Sequence, residues 1–262
     1  MGRLDGKVAV ITGAGSGLGR AITRRYVAEG ASVLACDINE DGARETIASV
    51  DGGEHVPTRV AVLRTDVTSE DECAAAVEAA LERWGRLDIM VANAGIGAPG
   101  PIATLKKDDW DRVLAVNLTG VFLCAKHAFR AMRQSGGVIL GMASVAGLQG
   151  TPVLGAYGPA KAGVIQLMQT VALEGARFNI RANALCPAWT QTPMVEAFVS
   201  GQRVSAEEAT ARLIQSIPLG RLGSPDDVAA AATFLASDEA AFISGVAFPI
   251  DGAHMAGHGL IG

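Results

Sequence analysis

The sequence has no excess of basic residues and no long apolar run. Its 262 residues include 22 Lys and Arg against 27 Asp and Glu, so the net charge is −5. Without a basic surface there is nothing to neutralise a phosphate backbone, and we expect no nucleic acid partner. No stretch has the length and apolarity of a signal peptide or a transmembrane helix, so we expect no membrane association and a cytoplasmic location.

Cysteine and histidine are scarce, with four residues of each type. The cysteines are far apart in the sequence and form no C-x-x-C pair: Cys36, Cys73, Cys124 and Cys186. This distribution predicts free, buried thiols in a reducing compartment. The histidines lack the spacing of metal ligands: His55, His127, His254 and His258. We therefore predict no metal site, and we expect the histidines on the surface or in the tail, with His127 in a helix interface or core.

Short β-branched runs alternate with longer segments of helical periodicity along nearly the whole chain. Most of the short runs are apolar throughout, which is typical of strands buried on both faces of a parallel sheet. We predict strands at 7–12, 32–37, 59–63, 87–92, 137–143, 180–185 and 246–250. We predict helices at 17–29, 40–49, 70–84, 108–134, 157–178 and 225–237. The expected fold is a single α/β domain over 1–262 with a doubly wound, Rossmann-type parallel sheet of about seven strands.

The first predicted strand leads into a glycine-rich turn, TGAGSGLG, at 12–19. Its glycines allow the backbone to approach a pyrophosphate held on the amides that start the next helix. The spacing is Gly13-x-x-x-Gly17-x-Gly19 rather than G-x-G-x-x-G, and for this turn alone a connection without a ligand is the alternative. Asp37 ends the second strand, where its carboxylate can accept hydrogen bonds from both ribose hydroxyls of an adenosine. No Lys or Arg follows in DINE to offset that charge, so the sequence favours NAD over NADP.

Tyr157, one of two tyrosines, lies one helical turn before Lys161 in AYGPAKAG. A phenol titrates near pH ~10, so a useful base at neutral pH needs its pKa lowered by roughly three units. We expect the Lys161 ammonium on the same helix face to lower it, and an ordinary surface contact is the alternative. Ser144 follows the fifth strand and can hold a substrate oxygen or cap a turn. Asn117, inside an apolar helical stretch, has a structural role as its alternative.

These residues together resemble the short-chain dehydrogenase/reductase family over nearly the whole chain. The matching landmarks are Thr12-Gly13-x-x-x-Gly17-x-Gly19, Asp37, Asp66-Val67, Asn93-Ala94-Gly95, Asn117, Ser144, Tyr157-x-x-x-Lys161 and PAWTQTPM at 187–194. The resemblance implies a catalytic set of Asn117, Ser144, Tyr157 and Lys161, and a homotetramer built on the helices at 108–134 and 157–178. It also implies a cofactor site made of Gly13, Ser16, Gly17, Leu18, Gly19, Asp37, Ile38, Asp66, Val67, Asn93, Ala94, Gly95, Tyr157, Lys161, Pro187, Thr190 and Thr192.

The resemblance also implies individual roles. Asp66 and Val67 would contact the adenine, and Asn93 to Gly95 would line the cofactor pocket. Asn117 would hold a water that links Lys161 to solvent, and the nicotinamide would lie against Pro187, Thr190 and Thr192. Four positions depart from the usual family pattern: Ala92, Ala143, Ala188 and Ala253. A Cβ at Ala188 is expected to narrow the approach to the nicotinamide and to fix backbone angles that a glycine leaves free.

The expected function is that of an NAD-dependent oxidoreductase that interconverts a secondary alcohol and a ketone, with Tyr157 as general acid and base. One alternative is an NADPH-dependent 3-oxoacyl reductase, against which Asp37 argues. Another is a dinucleotide-binding regulator without catalysis, against which the intact Ser, Tyr and Lys set argues.

Three segments are expected to surround the substrate: 96–102, 145–156 and 188–199. They are mostly apolar, with Glu196 as their only charged residue. The last belongs to 188–220, which has no clean period and is interpreted as an excursion that covers the active site. The expected substrate is therefore a small, neutral and mostly apolar alcohol or ketone, with polyols second and anionic substrates last.

Overall fold

The computed structural model describes residues 2–50, 56–97 and 99–257. Within these ranges seven parallel strands form one sheet in the order β3-β2-β1-β4-β5-β6-β7. The strands are β1 (Val8–Thr12), β2 (Ser32–Asp37), β3 (Val60–Arg64), β4 (Ile89–Ala92), β5 (Gly137–Met142), β6 (Ile180–Pro187) and β7 (Ala247–Ile250). The predicted doubly wound parallel sheet is confirmed, and the predicted strand ends differ from these by at most two residues.

Helices cover both faces of the sheet. They are α1 (Gly17–Ala28), α2 (Glu40–Ala48), α3 (Val56–Arg59), α4 (Glu70–Trp84), α5 (Lys107–Leu114), α6 (Gly120–Met132), α7 (Tyr157–Gly175), α8 (Pro193–Ser200), α9 (Ala206–Gln215) and α10 (Pro225–Ala236). One apolar layer joins the sheet to α1, α2 and α10, and the other joins it to α4, α6 and α7. Each fully buried aliphatic side chain in these layers, such as Ile22, stabilises the fold by roughly 2 kcal/mol. No described helix is both long and apolar enough to cross a bilayer.

One of the two tyrosines belongs to this core. Tyr26 on α1 is fully buried, and its hydroxyl donates a hydrogen bond to the Ala232 carbonyl of α10 at 3.0 Å. Burial raises the pKa of this phenol far above its usual value, so Tyr26 stays protonated and structural.

The helix predicted at 108–134 is broken. A π-helical turn, Ala115–Thr119, separates α5 from α6. Its residues, AVNLT, fit the apolar periodicity on either side, so the sequence pattern gave no sign of the extra residue that a π turn inserts. The helix predicted at 157–178 likewise leaves the α conformation after Gly175 and ends in a 3-10 turn, which Asn179 closes at a φ of 58°.

The segment 188–220 is an excursion that contains two helices absent from the prediction. Thr192 accepts a hydrogen bond from the Val195 amide at the start of α8, and Ser205 accepts one from the Glu208 amide at the start of α9. The helices have only eight and ten residues, which is too short for their separate periodicities to stand out in one unbroken pattern.

The sheet places a crevice beside β1. Its neighbours β2 and β4 lead the chain in opposite directions across the sheet, and the loops after β1 and β4 diverge at this point. In open parallel sheets ligands bind at the carboxyl ends of the strands where this reversal occurs.

Candidate active site

A cleft of about 960 Å³ opens at the carboxyl ends of β1, β4, β5 and β6. The predicted cofactor and catalytic residues lie on its wall, except for Gly19 and Asn117, which stand behind it. Residues that the sequence places up to about 180 positions apart therefore meet in one cavity, because parallel strands bring their carboxyl ends to the same edge of the sheet.

The glycine turn after β1 leaves its backbone bare to the cleft. Gly13 and Gly17 have φ values of +67° and +49°, a region that favours glycine. A Cβ on Gly13 would lie 2.8 Å from Asn93 Nδ2, and one on Gly19 would lie 1.9 Å from the Gly13 carbonyl oxygen. Gly19 thus permits the close packing of α1 against the turn, whereas Gly13 and Gly17 shape the surface that faces the cleft.

Asp37 is fixed beside this turn. Its carboxylate accepts hydrogen bonds from the Gly15 amide and from the Asn39 amide, both at 2.8 Å. The neighbouring Ile38 is 59% exposed on the cleft wall. The carboxylate retains acceptor sites that are not used by these two amides.

Two arginines lie near Asp37 without reaching the cleft. Arg20 donates to the Gly15 carbonyl at 2.6 Å and pairs with Glu45 at 3.3 Å. Arg64 pairs with Glu72 at 3.0 Å. Neither belongs to the cleft wall, so the negative charge of Asp37 faces the cavity without a cation beside it.

Asp66 and Val67 line the cleft after β3. The Thr68 amide and hydroxyl donate to Asp66 Oδ1 at 2.9 and 2.7 Å, and these hydrogen bonds hold the pKa of the carboxyl below its usual value. The carboxylate is thereby locked into the turn that presents Val67 to the cavity.

Asn93 ties the end of β4 to the glycine turn. Its Nδ2 donates to the carbonyls of Thr12 and Gly13 at 2.9 and 3.2 Å. Thr12 Oγ1 in return accepts from the amides of Asn93 and Ala94 at 3.1 and 3.2 Å. The side chain of Asn93 therefore braces the turn, and the adjoining Ala94 and Gly95 form the exposed wall.

Asn117 lies in the π-helical turn and is fully buried. Its Oδ1 accepts from the Ile96 amide and its Nδ2 donates to the Ile96 carbonyl, both at 2.8 Å. The side-chain amide thus clamps the loop after β4. A Cβ on Gly95 would lie 3.1 Å from this Oδ1 and 3.5 Å from Lys161 Nζ, which shows how closely the three residues pack.

Lys161 is 2% exposed, and its Nζ donates to the Met142 carbonyl at 2.7 Å. Burial lowers the pKa of this ammonium to about 8 because the charged form loses its hydration. The Nζ lies 5.5 Å from the centre of the Tyr157 ring. The predicted proximity of the two side chains is therefore present.

Tyr157 begins α7 with its hydroxyl beside Ser144. Burial raises the pKa of the Tyr157 phenol, and its hydrogen bond with Ser144 opposes that rise. The expectation that Lys161 lowers this pKa is wrong for the structure as it stands. The ammonium faces the Met142 carbonyl rather than the phenol oxygen, so desolvation has the larger effect.

Ser144 combines both roles considered for it. Its Oγ accepts a hydrogen bond from the Ala146 amide at 3.1 Å and so caps the 3-10 turn Val145–Gly147. The same side chain lines the cleft beside Tyr157 and donates to the Pro187 carbonyl at 3.4 Å. Capping therefore fixes the hydroxyl in place at the carboxyl end of β5.

The end of β6 continues the wall through Pro187, Ala188, Thr190 and Thr192. Ala188 has no positive φ, so the expected conformational conflict is not found there, and its amide donates to the Ile250 carbonyl at 3.1 Å. The strain lies at Ala253 instead, where φ is +71°. Only this one of the four alanine departures adopts a conformation that favours glycine.

Helix α8 roofs the cleft. Thr192 Cγ2 would lie 3.5 Å from a Cβ on Gly17, and Met194 Cγ would lie 3.2 Å from one on Gly97. Trp189 stacks on Phe198 with ring centroids 5.2 Å apart. The apolar cover expected over this region is present and touches both the glycine turn and the loop after β4.

The sequence argument missed four polar residues on the cleft wall: Gln149, Arg212, Ser216 and His254. His254 was expected on the surface or in the tail, yet it is half-buried and its Nδ1 lies 2.7 Å from the Ser216 carbonyl oxygen. The expectation that no Arg or Lys faces the substrate is also wrong, because α9 places Arg212 there. The capped, amphipathic pattern after Ser205 was the available signal for α9. His55 and His258 lie outside the described residues.

All four cysteines are free and buried, as predicted. Distance along the chain was misleading, however, because Cys73 Sγ and Cys124 Sγ are 3.9 Å apart between α4 and α6. Across the described ranges no group of three or more His, Cys, Asp or Glu side chains is arranged to hold a metal ion.

Comparison with known proteins identifies the family. A family model described as enoyl-(acyl carrier protein) reductase matches residues 13–253. The chain is 39% identical to 3-oxoacyl-[acyl-carrier-protein] reductase FabG of Thermotoga maritima, over 95% of this chain and 98% of that protein. The chain belongs to the short-chain dehydrogenase/reductase family.

Two other members of the short-chain dehydrogenase/reductase family extend the comparison. Cis-4-hydroxycyclohexanecarboxylate dehydrogenase of Sinomonas cyclohexanicum is 40% identical over 95% of this chain and 97% of its own length. The crystal structure of levodione reductase matches with a TM-score of 0.93 and 36% identity, over 97% of this chain and all of that chain. The family is one of oxidoreductases, and the observed fold agrees with it throughout the matched length.

Proposed function

We propose that this protein is an NAD-dependent oxidoreductase that interconverts a secondary alcohol and a ketone by hydride transfer. The arrangement of Ser144, Tyr157 and Lys161 supports this most strongly. The Tyr157 hydroxyl is hydrogen-bonded to Ser144, with Lys161 Nζ 5.5 Å from the ring, at the edge of a cleft that also contains the bare glycine turn. A protein that only binds a dinucleotide has no need of this acid and base group.

The wall of the cleft fits a nicotinamide dinucleotide. No side chain stands between the backbone at Gly13 and Gly17 and the cavity, so a pyrophosphate has room to lie on the amides at the start of α1. Asp37 would accept from the adenosine ribose, and Pro187 and Thr190 would lie against the nicotinamide. When bound, the nicotinamide supplies the hydride acceptor or donor.

Asp37 supports NAD over NADP. A 2′-phosphate at this position would meet the carboxylate, whose nearest arginines are paired with Glu45 and Glu72 away from the cleft. The similarity to FabG favours an NADPH-dependent 3-oxoacyl reductase as the second candidate. Steady-state rates with NAD⁺ and NADP⁺ distinguish the two, since a preference for NADP⁺ would favour the second candidate.

The proposed chemistry assigns one task to each side chain. Tyr157 takes the proton of the substrate hydroxyl during oxidation and returns it during reduction. Ser144 holds the substrate oxygen through a hydrogen bond, and the Lys161 ammonium favours the phenolate form of Tyr157. Asn117 holds the loop after β4 through Ile96, and we assign to it the water that connects Lys161 to solvent.

The substrate we propose is a small alcohol or ketone with an apolar body. Leu154, Met194 and Phe198 form much of the cleft wall near the catalytic side chains. The relatives include a dehydrogenase and a reductase named for ring compounds, which supports alicyclic substrates first. A panel of alicyclic, aryl and sugar alcohols with NAD⁺, followed by the absorbance of the reduced cofactor, tests the proposal.

We also propose a homotetramer in which α6 and α7 form one contact between subunits. Leu173 on α7 is 82% exposed and Phe122 on α6 is 44% exposed, and an oligomer would bury both. Sedimentation of the purified protein tests this. A monomer at micromolar concentration would contradict it.

A further inference from the structure

The cleft contains a second set of polar residues that the proposed chemistry does not use. This set, called here the His254 cluster, consists of Gln149, Arg212, Ser216 and His254. Its members come from three places: the loop before α7, the end of α9 and the segment after β7. Three separate parts of the chain thus contribute polar groups to an otherwise apolar wall.

The hydrogen bonds define which atoms of the cluster are used. The Ser216 carbonyl can only accept, so His254 Nδ1, 2.7 Å away, carries a proton and donates to it. In the neutral ring Nε2 is then an acceptor, and Gln149 Nε2, 3.2 Å away, donates to it. His254 therefore fixes the orientation of the Gln149 amide between α9 and the cleft.

Gln149 keeps hydrogen-bonding capacity. Its amide nitrogen has a second N–H, and its side chain makes no other hydrogen bond with the residues described in the structure. Because His254 orients the amide nitrogen, we expect the free N–H to be available to a bound molecule. An oxygen acceptor would satisfy it.

Arg212 adds further donors. One of its amino groups donates to Glu208 at 2.6 Å, but the two side chains are 63% and 53% exposed. An ion pair of this exposure contributes between zero and about 1 kcal/mol, so it is easily exchanged for another acceptor. The guanidinium has five N–H groups in total, which suits a carbonyl or a carboxylate.

The distance from the catalytic side chains limits the size of the occupant. Consecutive turns connect Ser144 to Gln149, with hydrogen bonds from Gly147 to Ser144 and from Gln149 to Val145. At the rise of a 3-10 helix, five residues span about 10 Å. This separation corresponds to a substrate of about one ring with a group at each end.

We propose that Gln149 and Arg212 form a second substrate-binding site, which donates hydrogen bonds to an oxygen acceptor carried by an apolar body away from the reacting carbon. His254 is a positioning residue that orients Gln149. The inference rests on the proposed function for the location of the reacting carbon. It refines the substrate class to ring alcohols with a second oxygen function, and it raises anionic substrates above the rank expected from the sequence.

The kinetic test uses three probes that share one ring: cyclohexanol, 4-hydroxycyclohexanone and 4-hydroxycyclohexanecarboxylate. With NAD⁺, the wild type should have a lower KM for both oxygenated probes than for cyclohexanol. Gln149→Leu should raise the KM of each oxygenated probe relative to cyclohexanol by about tenfold, the effect of one lost hydrogen bond of ~1.4 kcal/mol. Arg212→Met should do so for the carboxylate and much less for the ketone.

Controls separate local from general effects. Arg203→Met removes a cation from the exposed turn between α8 and α9, outside the cleft wall, and should leave all three KM values unchanged. His254→Phe should raise the KM ratios as Gln149→Leu does while kcat stays constant, because its role is to orient Gln149. A lower kcat with unchanged KM ratios would contradict the positioning role.

A binding measurement keeps this inference separate from the proposed function. Cyclohexanecarboxylate has no hydroxyl to oxidise, so calorimetric titration into the NAD⁺-loaded enzyme measures binding without turnover. Weaker binding by about tenfold in Arg212→Met, and none of this loss in Arg203→Met, supports the second site. Equal binding by the two variants, or KM changes that are the same for all three probes, would overturn it. Absence of turnover with every probe would instead count against the proposed function.

Discussion

The contact between α1 and the glycine turn gives a sharp prediction for Gly19→Ala. In an ordinary helix this change is stabilising by about 1 kcal/mol, because alanine has the higher helix propensity. Here the new Cβ would lie 1.9 Å from the Gly13 carbonyl oxygen and 2.6 Å from Asn93 Nδ2. The oxygen belongs to the backbone, so it cannot swing aside as a side chain does, and the start of α1 must move away by more than about 1 Å from contact distance.

We expect this movement to outweigh the helix propensity. Overpacking costs about 1–3 kcal/mol in well-packed regions, and a backbone obstacle places Gly19→Ala at the upper end. The net loss should be about 1–2 kcal/mol in the free energy of unfolding, measured with urea, and NADH should bind more weakly because the turn is displaced. Gly201→Ala is the matched control, since its Cβ would meet nothing closer than 3.5 Å. Equal stability and equal NADH affinity in the two variants would refute the reasoning.

Three further predictions concern single positions. Ala253→Gly should raise the free energy of unfolding in urea by about 0.5–1 kcal/mol, because relief of the positive φ of +71° exceeds the added flexibility of the unfolded chain. Asp37→Ala should narrow the preference for NAD⁺ over NADP⁺ in kcat/KM, and an unchanged ratio would contradict its role. Burial lowers the pKa of Lys161 to about 8, so the stability of the wild type relative to Lys161→Met should rise between pH 8 and the usual lysine pKa of about 10.5.

The sign of the Lys161 prediction follows from proton binding. Below pH 8 the lysine is protonated in both folded and unfolded chains, so the penalty for burying its charge is fully present. As the pH rises above 8, the folded chain releases this proton first while the unfolded chain still binds it, so the folded state gains stability. A flat difference between wild type and Lys161→Met across this range would show that the ammonium is not desolvated.

Much of the fold was predictable because its signals are local. Strands buried on both faces read as continuous apolar runs, and β1, β2 and β5 were located to within one residue at each end. The glycine turn and Asp37 were also recognisable, since each occupies a fixed place at the end of a strand. Their shared cleft follows from the parallel sheet, which brings the carboxyl ends of the strands together.

The remaining features depend on contacts between distant parts of the chain. The π-helical turn that carries Asn117 is closed by the Ile96 peptide, which lies 21 positions earlier. His254 joins the cleft through α9 and Gln149, and no pattern around it in the sequence shows this. The pKa of Tyr157 follows the balance between burial and the direction of Lys161 Nζ, which spacing on a helix does not determine.

The most direct test of the account is turnover by Tyr157→Phe. The substitution removes only the phenol oxygen, so the packing of the ring and the cofactor wall should stay intact. We predict that the variant binds NADH with an affinity within about twofold of the wild type and loses turnover of an established alcohol substrate by at least about a hundredfold. Wild-type turnover in Tyr157→Phe with NAD⁺ would contradict the central claim that this phenol is the general acid and base.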